Sequence, residues 1–179
     1  MKDLTRFTVL AAAVSVVVLA LPGVGLADPT TIIARDDCDA TTFNLAVPAT
    51  PPTCVGNGGT TFSDFIGQLV DHGFAGSWNF SPKQVKIDVG APLVVTNRGG
   101  ETHTFTQTTQ FGGGGIVAPL NQILFGTPTP PTFFFGPPNF IPADGTFNVP
   151  SSVLTPGTHL FMCIIHPWME ETVVVRPAG

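Results

Sequence analysis

The sequence predicts an all-β fold, a Greek-key β-sandwich or barrel with a short N-terminal helix and a long Gly/Pro/Phe-rich insertion. Three observations predict it. From Ser77 onward, short apolar runs alternate with polar residues at period two and break at Gly, Pro and Asn. No long helical pattern separates these runs, which argues against repeated strand–helix–strand units and for an antiparallel arrangement. Helical spacing occurs in one clear place, just before Gly73.

The elements follow in order. Lys2 and Arg6 precede an apolar run from Phe7 to Leu21, and Gly25 and Ala27 satisfy the small-residue rule for cleavage before Asp28. Residues 1–27 therefore read as a secretory signal peptide. The competing reading is a membrane anchor, but the run is short for a span and has no basic flank behind it. No Cys stands directly after the cleavage point, which argues against a lipid anchor. Loss of Lys2, Asp3 and Arg6 leaves five basic and eleven acidic residues and moves the net charge from −5 to −6. A mildly acidic surface of this kind disfavours nucleic acid and anionic membranes as partners. The remaining chain is long enough for one core.

Residues 28–60 are rich in Thr, Pro, Asp and Gly and read as an irregular extension. In residues 61–73, Phe62, Phe65, Ile66, Leu69 and Val70 recur at helical spacing, with Thr61 or Ser63 to start the helix and Gly73 to end it. Segment 28–73 thus forms an N-terminal extension, and 74–179 the sandwich domain. Strands are expected over Val85–Val89, Leu93–Thr96, Thr102–Thr108, Thr146–Val149, His159–Cys163 and Thr172–Arg176. The insertion, residues 111–144, holds Gly112 to Gly115, six prolines between Pro119 and Pro138, and Phe133-Phe134-Phe135. Asn121–Phe125 can form one helical turn. The phenylalanines read either as a docking patch or as a flap folded back over one end of the barrel, the second being favoured.

Three cysteines divide unevenly. Cys38 and Cys54 have no His beside them, and in an exported chain they pair by default as a disulfide. That leaves Cys163 as a lone thiol in an oxidising compartment, either buried and inert or bound to a metal. Its surroundings favour the metal. Cys163-Ile-Ile-His166-Pro-Trp-Met169 places a thiolate, an imidazole and a thioether within seven residues, and His103 opens a strand upstream. Two imidazoles, one thiolate and a weak Met sulfur form the donor set of a blue-copper electron-transfer site. Pro167 stiffens the loop, and Phe161 and Trp168 are placed to shield a metal from water.

These residues resemble those of the cupredoxin (type 1 blue-copper) family. The short Cys-x2-His-x2-Met loop running into a Val-rich strand is similar to the amicyanin and plastocyanin-like loop. The resemblance runs from Trp78 to Arg176 and includes Trp78-Asn-Phe-Ser-Pro and Thr96-Asn97. It implies one copper ion held by His103, Cys163, His166 and Met169, with the backbone amide of Thr104 donating to the Cys163 sulfur. It further implies outer-sphere transfer of one electron through a surface edge of His166, to a protein redox partner. The chain departs from the pattern in the 111–144 insertion and in everything before Gly73.

Other titratable residues carry less. His159 alternates with Phe161 and Cys163 and reads as a hydrogen-bonded core or rim residue, while His72 closes the helix. Glu170 and Glu171 read as surface charges, and Glu101 as a neighbour of the metal end. Multicopper oxidase chemistry needs paired His-x-His motifs, and a binuclear copper centre needs two Cys in the loop, so neither enzyme class fits. Copper carriage or storage, and a metal-free interaction module built on the Phe/Pro loop, stand as the alternatives.

Overall fold

The structure, a computed structural model, describes residues 28–179. The expected signal peptide lies outside the described residues. Two four-stranded sheets form the body of the fold. The first runs β2 (Asn79–Ser81), β1 (Thr30–Arg35), β4 (Leu93–Asn97), β8 (Thr146–Val149). The second runs β3 (Gln84–Asp88), β10 (Glu170–Arg176), β9 (Gly157–Met162), β6 (Thr106–Thr108). A third, two-stranded ladder joins β5 (His103–Thr104) to β7 (Phe140–Ile141).

The alternation read from the sequence is what builds the core. Val85 and Ile87 on β3, and Val173 and Val175 on β10, face inward, while Lys86, Asp88 and Arg176 face outward. Phe105 stacks on Phe161 at 4.3 Å between ring centroids and meets Phe80 edge-on at 5.3 Å. Burying each such ring stabilises the fold by about 1.5–3 kcal/mol.

Three expectations need correction. The sandwich is not wholly antiparallel, because β1 pairs in parallel with β4, and β3 in parallel with β10. Residues 28–60 are not irregular. Thr30–Arg35 lies between β2 and β4 as an interior strand with Ile32 and Ala34 inward, and Ala40–Ala46 forms a helix, α1, capped by Asp39. The short run Thr-Thr-Ile-Ile-Ala is β-branched enough to pair, but its Pro- and Asp-rich flanks mask it. Finally, the strand expected over Thr102–Thr108 is two. At Phe105 the chain leaves the ladder with β7 and joins β9.

The helix expected before Gly73 is α2 (Phe62–His72). The Thr61 hydroxyl accepts from the Asp64 amide, and Gly73 adopts φ 75°, a left-handed conformation that suits glycine. Its buried face carries Phe65 and Leu69 onto Phe43 and Trp78. Cys38 and Cys54 form a disulfide that ties the start of α1 to the following loop.

The insertion folds back on the sandwich. It contains α3 (Ala118–Phe125), and its backbone bonds to the edge of β6 through Thr109 N–H to Phe133 O and Phe135 N–H to Gln107 O. Asn121 is buried and bonds the Gly115 N–H and the carbonyls of Gly115 and Pro128, which closes the loop on itself. Phe133 and Phe134 are half-buried by this flap, while Phe135 stays exposed. Capping an edge strand in this way removes a row of open backbone groups.

Candidate metal centre

Two elements meet to form the site. β5 delivers His103 as it pairs with β7. The connection from β9 to β10 delivers Cys163 and His166. That connection is tight: Cys163 N–H donates to Met169 O, and Met169 N–H donates to His166 O. Pro167 is buried within it. These bonds tie the backbone of Met169, itself 1% exposed, to Cys163 and His166.

His103, Cys163 and His166 are brought together in the interior. Cys163 Sγ lies 4.0 Å from His103 Nδ1 and 3.8 Å from His166 Nδ1, and the two Nδ1 atoms are 3.3 Å apart. A point equidistant from all three lies about 2.2 Å from each, inside the range of roughly 2.0–2.3 Å for nitrogen and thiolate bonds to first-row metals. The donor set fits one soft, trigonally held ion. Thr104 N–H donates to Cys163 Sγ at 3.3 Å, and the Thr104 hydroxyl accepts from Ile164 N–H at 2.9 Å. Both bonds aim the sulfur.

The outer face of each imidazole meets a carboxylate. His103 Nε2 lies 2.8 Å from Asp36 Oδ2, with both side chains buried. His166 Nε2 lies 3.6 Å from Glu101 Oε2, which itself accepts from Trp78 Nε1 at 2.6 Å. Burial pushes the Asp36 carboxyl up, but its bond to His103 and the amides of Glu101 and Gly100 outweigh this and hold it at about 2. Burial pushes the His103 imidazole down, yet Asp36 and Cys163 together raise it to about 9. Burial alone would raise the Cys163 thiol. The two imidazoles instead hold it well below its ordinary value. The pocket thus stabilises a thiolate, the form that binds metal.

The remaining expected residues fall in two groups. Trp168 is half-buried and packs 5.4 Å from the His166 ring. Phe161 lies in the core stacked on Phe105. His159 is a rim residue, bonded to Thr155 O at 2.6 Å and to Gln107 at 3.1 Å.

Two expectations fail here. The His166 edge is not at the surface: the residue is 2% exposed, beneath Phe65, Trp78 and Trp168. Phe65 of helix α2 covers it together with the two Trp rings, and helical spacing says nothing of where a helix docks. Glu171 is no surface charge either. It is fully buried opposite Phe161, with neither carboxyl oxygen bonded. Sequence reasoning also missed Asp36. Its only signal is the pair Asp36-Asp37 before Cys38, which is indistinguishable from an acidic loop.

The topology and the meeting of His103 with the β9–β10 connection decide the architecture. The fold is cupredoxin-like. Solved structures similar to this cupredoxin-like chain include a purple cupredoxin from Nitrosopumilus maritimus, at 16% identity, covering 82% of this chain and 98% of that one with a TM-score of 0.41. An amicyanin from Paracoccus versutus is similar at 19% identity, covering 55% and 73% with a TM-score of 0.33. A copper(I) form of an amicyanin variant is similar at 15% identity, covering 57% and 76% with a TM-score of 0.37. No family model matches the chain, and no curated protein matches it.

Proposed function

We propose that this protein is an exported blue-copper electron carrier that moves one electron at a time between protein partners. The observation that carries the reading is the buried triangle of Cys163 Sγ, His103 Nδ1 and His166 Nδ1, sized for a single ion. Met169 is the proposed fourth, weaker donor, its backbone tied to Cys163 and His166 by the two bonds of the loop. Copper held there supplies a one-electron couple between Cu(II) and Cu(I). The chain's part is to keep the donors fixed in both states, and the Thr104 bonds, Pro167 and the packed Phe and Trp rings do so. Their burial also keeps water and small ligands away, which disfavours substrate chemistry and favours outer-sphere transfer.

With His166 covered, the electron passes through its neighbours. Trp168 and Met169 both line an open surface pocket rimmed by Phe74 and Phe111. That pocket brings part of the loop to the surface, and it is the proposed contact for the redox partner. Burial of all three donors also separates this reading from copper carriage, since a carrier needs ligands that a recipient can reach.

Adding one equivalent of Cu(II) to the purified protein is expected to give an intense visible charge-transfer band and a small copper hyperfine splitting by EPR. Cys163→Ser is expected to lose the band. A colourless wild type, or a band that survives in Cys163→Ser, sinks the assignment.

A further inference from the structure

Asp36 stands apart from the ligand-bearing segments. It follows β1, some 67 residues before His103, yet its Oδ2 is 2.8 Å from His103 Nε2 and both side chains are essentially inaccessible. The carboxylate is fixed on its other side as well. Oδ1 accepts from Gly100 N–H at 2.9 Å and Cys38 N–H at 3.2 Å, and Oδ2 accepts from Glu101 N–H at 3.0 Å. Such a group cannot swing away to water.

We propose that Asp36 is a positioning residue which fixes the His103 ring and tilts the centre toward the more oxidised metal. The inference rests on the copper reading above. With Nδ1 turned to Cys163, the Nε2 proton of His103 has one acceptor, Asp36, so the tautomer that leaves Nδ1 free for a metal is set by this bond. A buried carboxylate bonded to a ligand imidazole raises the donor strength of that imidazole. It also places negative charge beside the ion where water cannot screen it. Both effects stabilise Cu(II) more than Cu(I). The Glu101 contact to His166 is longer, at 3.6 Å, and its oxygen is shared with Trp78, so it constrains its ring less.

Asp36→Asn removes the charge and keeps a single acceptor oxygen, enough for the Gly100 amide or the Glu101 amide but not for both. Its Cu(II) affinity is expected to fall ten- to a hundredfold, the usual cost of losing such a partner. Its Cu(I) affinity should fall at least tenfold less, which raises the reduction potential by about 59 mV or more. A role in folding alone would lower both affinities equally, so an unchanged potential in a variant that still shows the charge-transfer band overturns the proposal. A second measurement needs no variant. In the diamagnetic Cu(I) form, the His103 Nε2 proton is expected as a downfield NMR signal protected from exchange, and a fast-exchanging or missing signal also overturns it. If the wild type shows no charge-transfer band, the copper reading fails and this proposal with it. If the band is present and the potential does not move, only the role of Asp36 fails.

Discussion

Glu171 is the least comfortable residue in the described chain. It sits on β10 opposite Phe161, is fully buried, and neither oxygen has a hydrogen-bond partner. Burial raises its carboxyl to about 8. The sign of the consequence is fixed by linkage. Between the ordinary carboxylate value near 4.5 and about 8, the unfolded chain gives up this proton while the folded chain keeps it. Stability from this group is therefore complete below about pH 4.5 and is lost progressively as pH rises to 8. Replacing it by Met removes the buried acid at similar volume. Chemical denaturation at several pH values should show the advantage of Glu171→Met over wild type growing by a few kcal/mol between pH 4.5 and pH 8. A difference that does not depend on pH would mean the carboxyl is not held neutral by the fold. The contrast with the proposed copper ligands is instructive. Cys163, His166 and Met169 were legible because their relation is local and chemical. Glu101 was legible only as a neighbour of the metal end, and Asp36 and Glu171 were not legible, because burial and partnership depend on how separate segments of the chain pack together.

The same division holds for whole elements. Helix α2 was legible to its caps, since Thr61, the 3.6-residue spacing and Gly73 are all local signals. Its destination was not. Phe65 sits 4.7 Å from Trp78, 5.9 Å from Trp168 and 6.4 Å from the His166 ring, so the helix is the wall that hides the expected electron port. Strand β1 stayed hidden because its pairing partners, β2 and β4, lie far along the chain, and the split at Phe105 because both halves share one alternation. Truncating the wall should uncouple these roles. Phe65→Ala is expected to cost about 3–5 kcal/mol of stability and to open His166. The charge-transfer band should persist, because Phe65 is no ligand, while transfer of copper to an external chelator should become faster than in wild type. Unchanged release would mean that α2 packs against the loop without guarding it.

Across the described residues, segment 28–73 is wired into the site rather than appended to it. β1 is an interior strand, Asp36 follows it onto His103, and α2 closes over His166. The Cys38–Cys54 disulfide bolts this region in place over a separation of 16 residues. A Cβ on Gly100 would collide with Gly56 and the Cys38 sulfur, so the disulfide loop lies directly against the turn whose amide holds Asp36. A loop of that length stabilises by about 3 kcal/mol through the entropy it removes from the unfolded chain. Two outcomes then follow for the double variant Cys38→Ala with Cys54→Ala. Its free energy of unfolding should drop by about that amount. Its reduction potential should also move in the same direction as that of Asp36→Asn, by less, because Asp36 keeps its charge and loses only part of its support. Denaturation and redox titration on the same preparation separate the effects. Lost stability at an unchanged potential would show that the disulfide holds the chain together without reaching the metal. A shift in both would show that the fold closes the proposed copper site from its N-terminal side.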